Sequence, residues 1–160
     1  MDTTIRLAAP EDHELLIPLV VAFRDHLQQP GPSDSELAFS LKQLLVDPTT
    51  DFIVALSQKS TPIGYAQVRY RYSLWVVGSE AQLDDLFVVP RARERGLGSS
   101  LLEAAIAQAR VRGCRVIGLN TNEQNAEALR LYTRAGFSAL RERWQSGRQL
   151  WLERAITDAA

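Results

Sequence analysis

Apolar and polar positions alternate from Thr3 to Ala8, with Ile5 and Leu7 set against Thr4 and Arg6, and this period of two predicts a short opening strand. Pro10 suits the first turn of a helix. Glu11, Asp12 and Glu14 complement its positive end, and it is expected to run to about Leu27 with a bend at Pro18. The stretch from Gln28 to Pro32 breaks it. Ser33 with Glu36 three residues on makes a capping box, and Leu37, Leu41, Leu44 and Leu45 form an apolar stripe that Asp47-Pro48 stops. Strands follow at Phe52 to Leu56, Ile63 to about Val77, and Gln82 to Val89, separated by turn-formers at Ser60-Thr61-Pro62 and Gly78-Ser79. The short gaps favour an antiparallel meander.

After Pro90 the period becomes helical. Leu97, Leu101, Leu102, Ala105, Ile106 and Ala109 share one face, and Gly113 is the stop. Arg115 to Leu119 reads as a buried strand. A further helix is expected from about Asn125 to Ala135, ending at Gly136, before two strands at Phe137–Trp144 and Gln149–Leu152 across a Ser146-Gly147 turn. A meander combined with crossover helices predicts a mixed, twisted sheet with helices on both faces.

Composition narrows the function. The 160 residues suit one domain, and at 46% hydrophobic and 23% charged they carry enough apolar surface for a packed core. Eighteen Lys and Arg against nineteen Asp and Glu give a net charge of −1, without the basic excess that grips a phosphate backbone, so no nucleic-acid partner is expected. Cys114 has no second cysteine to pair with, and His13 and His26 do not stand at a usual zinc-ligand spacing from it, so no metal is expected. Leu15 to Val21 falls well short of the ~20 residues of a membrane span, and the acidic Asp2, Glu11 and Asp12 are unlike a secretory leader. A cytoplasmic location without membrane association is the expectation.

The segment from Val88 to Ser100 joins a strand to a helix through Gly96, Gly98 and three arginines, Arg91, Arg93 and Arg95. Glycines here let backbone N–H groups approach a ligand closely, and the helix N-terminus adds partial positive charge, an arrangement suited to a pyrophosphate. The bland alternative is a tight turn with solvated arginines; the strand before and helix after weigh against it. A P-loop would need a lysine after Gly98, where Ser99 stands, and a dinucleotide fingerprint would need a third glycine where Leu101 stands.

Arg93-x-x-Gly96-x-Gly98, preceded by Leu86-Phe87-Val88-Val89-Pro90, resembles the acetyl-CoA motif of the GNAT superfamily of N-acetyltransferases, and Asn125 to Tyr132 through Gly136-Phe137 resembles that family's second signature. The resemblance covers nearly the whole chain. It implies one N-acetyltransferase domain over residues 1–160 with an α/β (α+β) fold: a mixed, mostly antiparallel sheet of about seven strands, splayed between the fourth and fifth, flanked by four helices. Acyl-CoA would lie in the splay. The backbone of Leu86, Phe87 and Val88 would bond the pantetheine arm, and the N–H groups of Arg93, Glu94, Arg95, Gly96, Leu97, Gly98 and Ser99 would hold the pyrophosphate. Asn125 would contact the pantetheine, its competing role being a helix N-cap. Tyr132 would give a proton to the departing sulfur, its competing role being a core aromatic.

An alkyl amine with a pKa of about 10.4 is almost wholly protonated at pH 7, and direct abstraction by an aspartate near 3.9 would cost roughly 9 kcal/mol. A carboxylate that orients the amine or relays its proton through water, in a partly buried site, meets that objection. Asp84 and Asp85 stand just upstream of Leu86. Successive strand residues point to opposite faces, so only one lines a cleft unless a bulge intervenes; each also has an ordinary reading as a solvated strand acid. Leu83-Asp84-Asp85-Leu86-Phe87-Val88 resembles the segment of the diamine (spermidine/spermine) acetyltransferases in which the first acid is the water-mediated base and the second helps bind the polyamine. Some ribosomal-protein acetyltransferases carry a Glu five residues before the helix Asn; here that position is Asn120, which weakens a protein N-terminus as substrate.

The resemblance places the acceptor pocket at Gln28 to Ser33 and Trp144, with Tyr70, Tyr72 and Trp75 nearby. Aromatics beside acids suit an organic cation, although at strand spacing they are as readily core or interface. Cys114 reads as a small buried hydrophobe, which disfavours a covalent enzyme intermediate. The expectation is direct acetyl transfer from acetyl-CoA to a primary amine of a small molecule or protein; the alternatives are a CoA-binding sensor without turnover and a nucleotide-binding module. Relatives of this kind are commonly homodimers.

Overall fold

A computed structural model of the chain describes residues 3–140 and 147–156, which divide into two compact units, one up to Leu119 and one from Asn120. The first unit holds one five-stranded sheet in sequential order: β1 (Thr4–Leu7), β2 (Thr50–Leu56), β3 (Pro62–Ser73), β4 (Gly78–Val88) and β5 (Val116–Leu119). The first four strands form the antiparallel meander, and β5 joins β4 in parallel. Three helices belong to this unit: α1 (His13–His26), α2 (Asp34–Leu45) and α3 (Leu97–Val111).

Local chemistry accounts for the helix starts. Asp12 takes a bidentate pair from Arg6 at 2.6 and 2.8 Å and the Ala9 N–H at 2.8 Å, tying β1 to the start of α1. Ser33 and Glu36 form the expected capping box: the Ser33 N–H donates to Glu36 Oε2 at 2.8 Å and the Glu36 N–H to Ser33 Oγ at 3.3 Å.

Alternation along β3 separates the two faces. Tyr65 meets Phe23 of α1, with ring centroids 6.3 Å apart. Gly64 turns the other way, toward α3, where a Cβ would lie 2.8 Å from the Phe87 carbonyl oxygen and 3.0 Å from Leu101 Cδ1. Only glycine admits so close an approach. Helices thus cover both faces; β2 apart from Asp51, and Ile63 to Val68 of β3, are buried. Leu97, Leu101, Leu102, Ala105 and Ala109 are the buried stripe of α3.

Three features differ from expectation. The β3–β4 hairpin turns at Leu74–Val77 rather than Gly78-Ser79, because Ser73 pairs with Gly78; the β-favouring Leu74 and Trp75 sit on an exposed tip. Gly78 instead starts β4, where a Cβ would be 3.0 Å from Arg115 Nε. At β5, Val116 is exposed and Ile117 to Leu119 are half-buried, so this strand, the last of the described sheet, is not the fully buried one that its run of apolar residues suggests.

The second unit contains α4 (Ala126–Arg134). Of the two late strands expected, residues 141–146, including Trp144 and Ser146, lie outside the described residues. Around them Leu140 and Arg148 form an antiparallel bridge, and Gln149 onward forms no described strand. The described sheet therefore has five strands, against the about seven expected.

Candidate active site

The β4–β5 ladder runs from Glu80–Val116 to Leu83–Leu119 and stops. From Asp84 onward the β5-facing edge of β4 has no strand partner among the described residues. Residues 84–88, with the glycine loop that follows them, border this open edge.

A bulge sits at the same place. Gln67 pairs with Asp85 and Val68 with Leu83, leaving Asp84 as the extra residue. The slip changes which way the acids point. Tyr65 Oη donates to Asp85 Oδ2 at 2.8 Å, while the Arg69 guanidinium grips Asp84 through Nε and through Nη2 at 3.1 Å. Tyr65 and Arg69 are four residues apart on one strand and share a face. Both carboxylates therefore turn to the α1 side, where regular alternation would have split them.

Their environments are unlike. Burial pushes the Asp85 carboxyl up, and the neighbouring Asp84 charge adds to this; the Tyr65 hydroxyl and Arg69 oppose it. Tyr65 is wholly buried, and burial together with Asp85 drives its phenol far above the usual range, so it stays a donor. Around it Phe23 stacks on Phe87 at 5.1 Å and Phe52 lies 6.4 Å from Tyr65, making one wall of the site aromatic.

The loop after β4 is shaped for an anion. Glu94 (φ 64°) and Gly96 (φ 74°) both occupy the left-handed region, and Gly96 is the N-cap of α3, with nothing within 4 Å of where a Cβ would stand. The Ser100 N–H donates to Gly96 O at 3.0 Å, so the N–H groups of Leu97, Gly98 and Ser99 lie ahead of the first helical bond. Arg93 differs from its expected part: its N–H already donates to Pro90 O at 3.2 Å, and its Nε donates to Val88 O at 3.0 Å. Its side chain braces the loop against β4, with the guanidinium 5.9 Å from the Phe87 ring centre. These open amides, the glycine and the exposed Arg91 and Arg95 suit a diphosphate.

In the second unit Asn125 caps α4, its side chain accepting from the Ala128 N–H at 3.2 Å. Tyr132 is half-buried, with its ring centre 6.0 Å from that of Phe137. Two anticipated pocket residues have other surroundings. Tyr70 faces α3, where its hydroxyl donates to Asp51 at 3.0 Å and Arg112 sits 4.9 Å over its ring; Trp75 is on the hairpin tip. Cys114 is half-buried and its thiol is pushed up by burial, which suppresses thiolate.

Tyr65 and Arg69 went unnoticed in the sequence. A hydroxyl amid the buried run Ile63 to Val68 was a readable signal, since a buried phenol needs a partner. The partner itself depends on the bulge.

Comparison with known proteins identifies the family. Residues 19–137 match the acetyltransferase (GNAT) family. The chain is 32% identical over 133 residues to an uncharacterized N-acetyltransferase of Bacillus subtilis (strain 168), covering 83% of this chain and 88% of that one. It is 32% identical over 86 residues to the thialysine N-epsilon-acetyltransferase of Mus musculus, covering 54% of this chain and 50% of the mouse protein. A crystal structure of an Arthrobacter sp. FB24 protein assigned as an acetyltransferase superposes with a TM-score of 0.83 at 29% identity, covering 96% of each chain.

Proposed function

This chain belongs to the GNAT family of acetyltransferases, and we propose that it moves an acetyl group from acetyl-CoA directly onto the primary amine of a small molecule. The observation that carries the proposal is the end of the β4–β5 ladder at Leu83–Leu119, immediately before paired acids and an anion-shaped loop. Bound acetyl-CoA would supply the thioester carbonyl that an amine attacks. Leu97, Gly98 and Ser99 would offer amides for its diphosphate, and the open edge of Leu86 to Val88 would bond its pantetheine arm. From the family resemblance alone, Tyr132 is proposed as the proton donor to the leaving sulfur; Asn125, the other residue the resemblance nominates, has its side-chain oxygen engaged as the α4 cap.

Asp85 holds the amine and receives its proton, directly or through water. Its raised pKa narrows the gap to the ammonium, which an unperturbed aspartate leaves at roughly six units. This reverses the order implied by the diamine acetyltransferases: Asp84 is engaged by Arg69, and the acid set for proton transfer is Asp85. Relatives named for thialysine and for aminoglycoside acetylation support an amine acceptor.

Acetyl-CoA consumption across amino acids, polyamines, aminoglycosides and peptide N-termini tests the reading. A saturable amine is expected, with Tyr132→Phe lowering kcat by about a hundredfold and leaving CoA affinity unchanged. Tight CoA binding with no amine turned over would instead mark a non-catalytic CoA-binding protein.

A further inference from the structure

Glu80, Asp84 and Asp85 share the α1 face of β3 and β4 with Arg69 and Arg71. Glu80 pairs with Arg71 at 2.7 Å, and Arg93 lies beside Phe87 with Nη2 3.4 Å from His26 Nε2. Asp84, only 17% exposed in its side chain, is bound through both oxygens by Arg69, whose own side chain is 55% exposed. Asp85 has a neutral partner, the Tyr65 hydroxyl.

Resting on the acetyl-transfer reading above, we propose that Arg69 determines the acceptor class: it neutralises Asp84 and leaves Asp85 as the acid open to an ammonium, so the site takes amines with one cationic centre rather than polyamines. A second ammonium near Asp84 would meet a carboxylate already satisfied and a guanidinium of like charge. Two acids side by side serve a diamine only when both are free. The bulge puts both on one face, and Arg69 withdraws one of them.

The test compares butylamine with 1,4-diaminobutane, by calorimetric affinity and by kcat/KM, at a pH where both are fully protonated. Wild-type protein is expected to favour the diamine by no more than about the twofold statistical factor of its two equivalent ends. Arg69→Gln should shift the ratio toward the diamine by about fivefold, the scale of a partly exposed charge pair, and Arg69→Lys should keep the wild-type ratio. A folding defect would weaken both amines alike and leave the ratio still. The proposal is overturned if wild type prefers the diamine more than about tenfold, if Arg69→Gln leaves the ratio unchanged, or if neither amine binds. If the affinities follow the predicted pattern but neither amine is acetylated, the acetyl-transfer reading fails and the charge assignment stands. Turnover with an unmoved ratio overturns the charge assignment and leaves acetyl transfer standing.

Discussion

Replacing Tyr65 by phenylalanine removes one hydroxyl and keeps the ring that packs among Phe23, Phe52 and Phe87. The lost bond is the 2.8 Å donation to Asp85 Oδ2. A hydrogen bond to a charged acceptor is worth about 1.5–3 kcal/mol. Because it favours the ionised carboxyl, its loss should raise the pKa of Asp85 by about one to two units, at 1.36 kcal/mol per unit. Burial and Asp84 already push that way, with Arg69 the remaining restraint. The acid limb of kcat/KM against pH should therefore move up by at least about one unit in Tyr65→Phe. Stability supplies an independent readout. The folded pKa of Asp85 lies above its unfolded value, so its ionisation costs stability as pH rises through the folded pKa and costs nothing below about 4. The variant deepens this cost, so the gap between wild type and variant should be widest at pH 8 and shrink as pH falls toward 4 in thermal melts. An acid limb that moves by less than about 0.3 units, with a gap constant in pH, would refute the coupling of Tyr65 to Asp85.

Gly96→Val forces a β-branched residue to φ 74° at the α3 N-cap, costing about 1–2 kcal/mol, and should weaken CoA binding beyond what the melting temperature alone reflects. Gly64→Ala sets a methyl 2.8 Å from the Phe87 carbonyl oxygen, so denaturant unfolding should show a loss of about 1–3 kcal/mol. Asp12→Asn breaks the bidentate pair with Arg6; the Arg6 bond holds the Asp12 carboxyl below the usual range. The wild-type advantage, about 1–3 kcal/mol by urea titration, should be full above pH 4 and vanish as pH falls through the depressed folded pKa.

The elements most legible in the sequence are those fixed by local chemistry. Ser33 and Glu36 announce a capping box and form one, the stripe from Leu97 to Ala109 is buried as its period requires apart from the half-buried Ile106, and Gly96 stands where a left-handed cap is needed. Asn125, equally readable as a cap or a ligand contact, is seen to cap. Illegible features depend on register. Nothing in Leu83-Asp84-Asp85-Leu86 distinguishes a regular strand from one that slips a residue against Gln67 and Val68, yet that slip turns both acids to one face. The same limit hid Arg69, which reads as an exposed strand cation until the bulge brings Asp84 to it. Tyr70 misled for a related reason: aromatic residues beside acids suggest a ligand cage, and here the cation over the ring is the protein's own Arg112.

Catalysis as proposed depends on amides at the start of α3 holding a diphosphate beside the open edge of β4. Calorimetric titration with CoA and with pantetheine, which lacks the diphosphate, addresses this without need of the acceptor amine. Two charge-assisted bonds from these amides should give CoA at least about a hundredfold advantage, at one molecule per chain. Equal affinities for the two ligands, or no binding of CoA, would show that the loop does not hold the diphosphate.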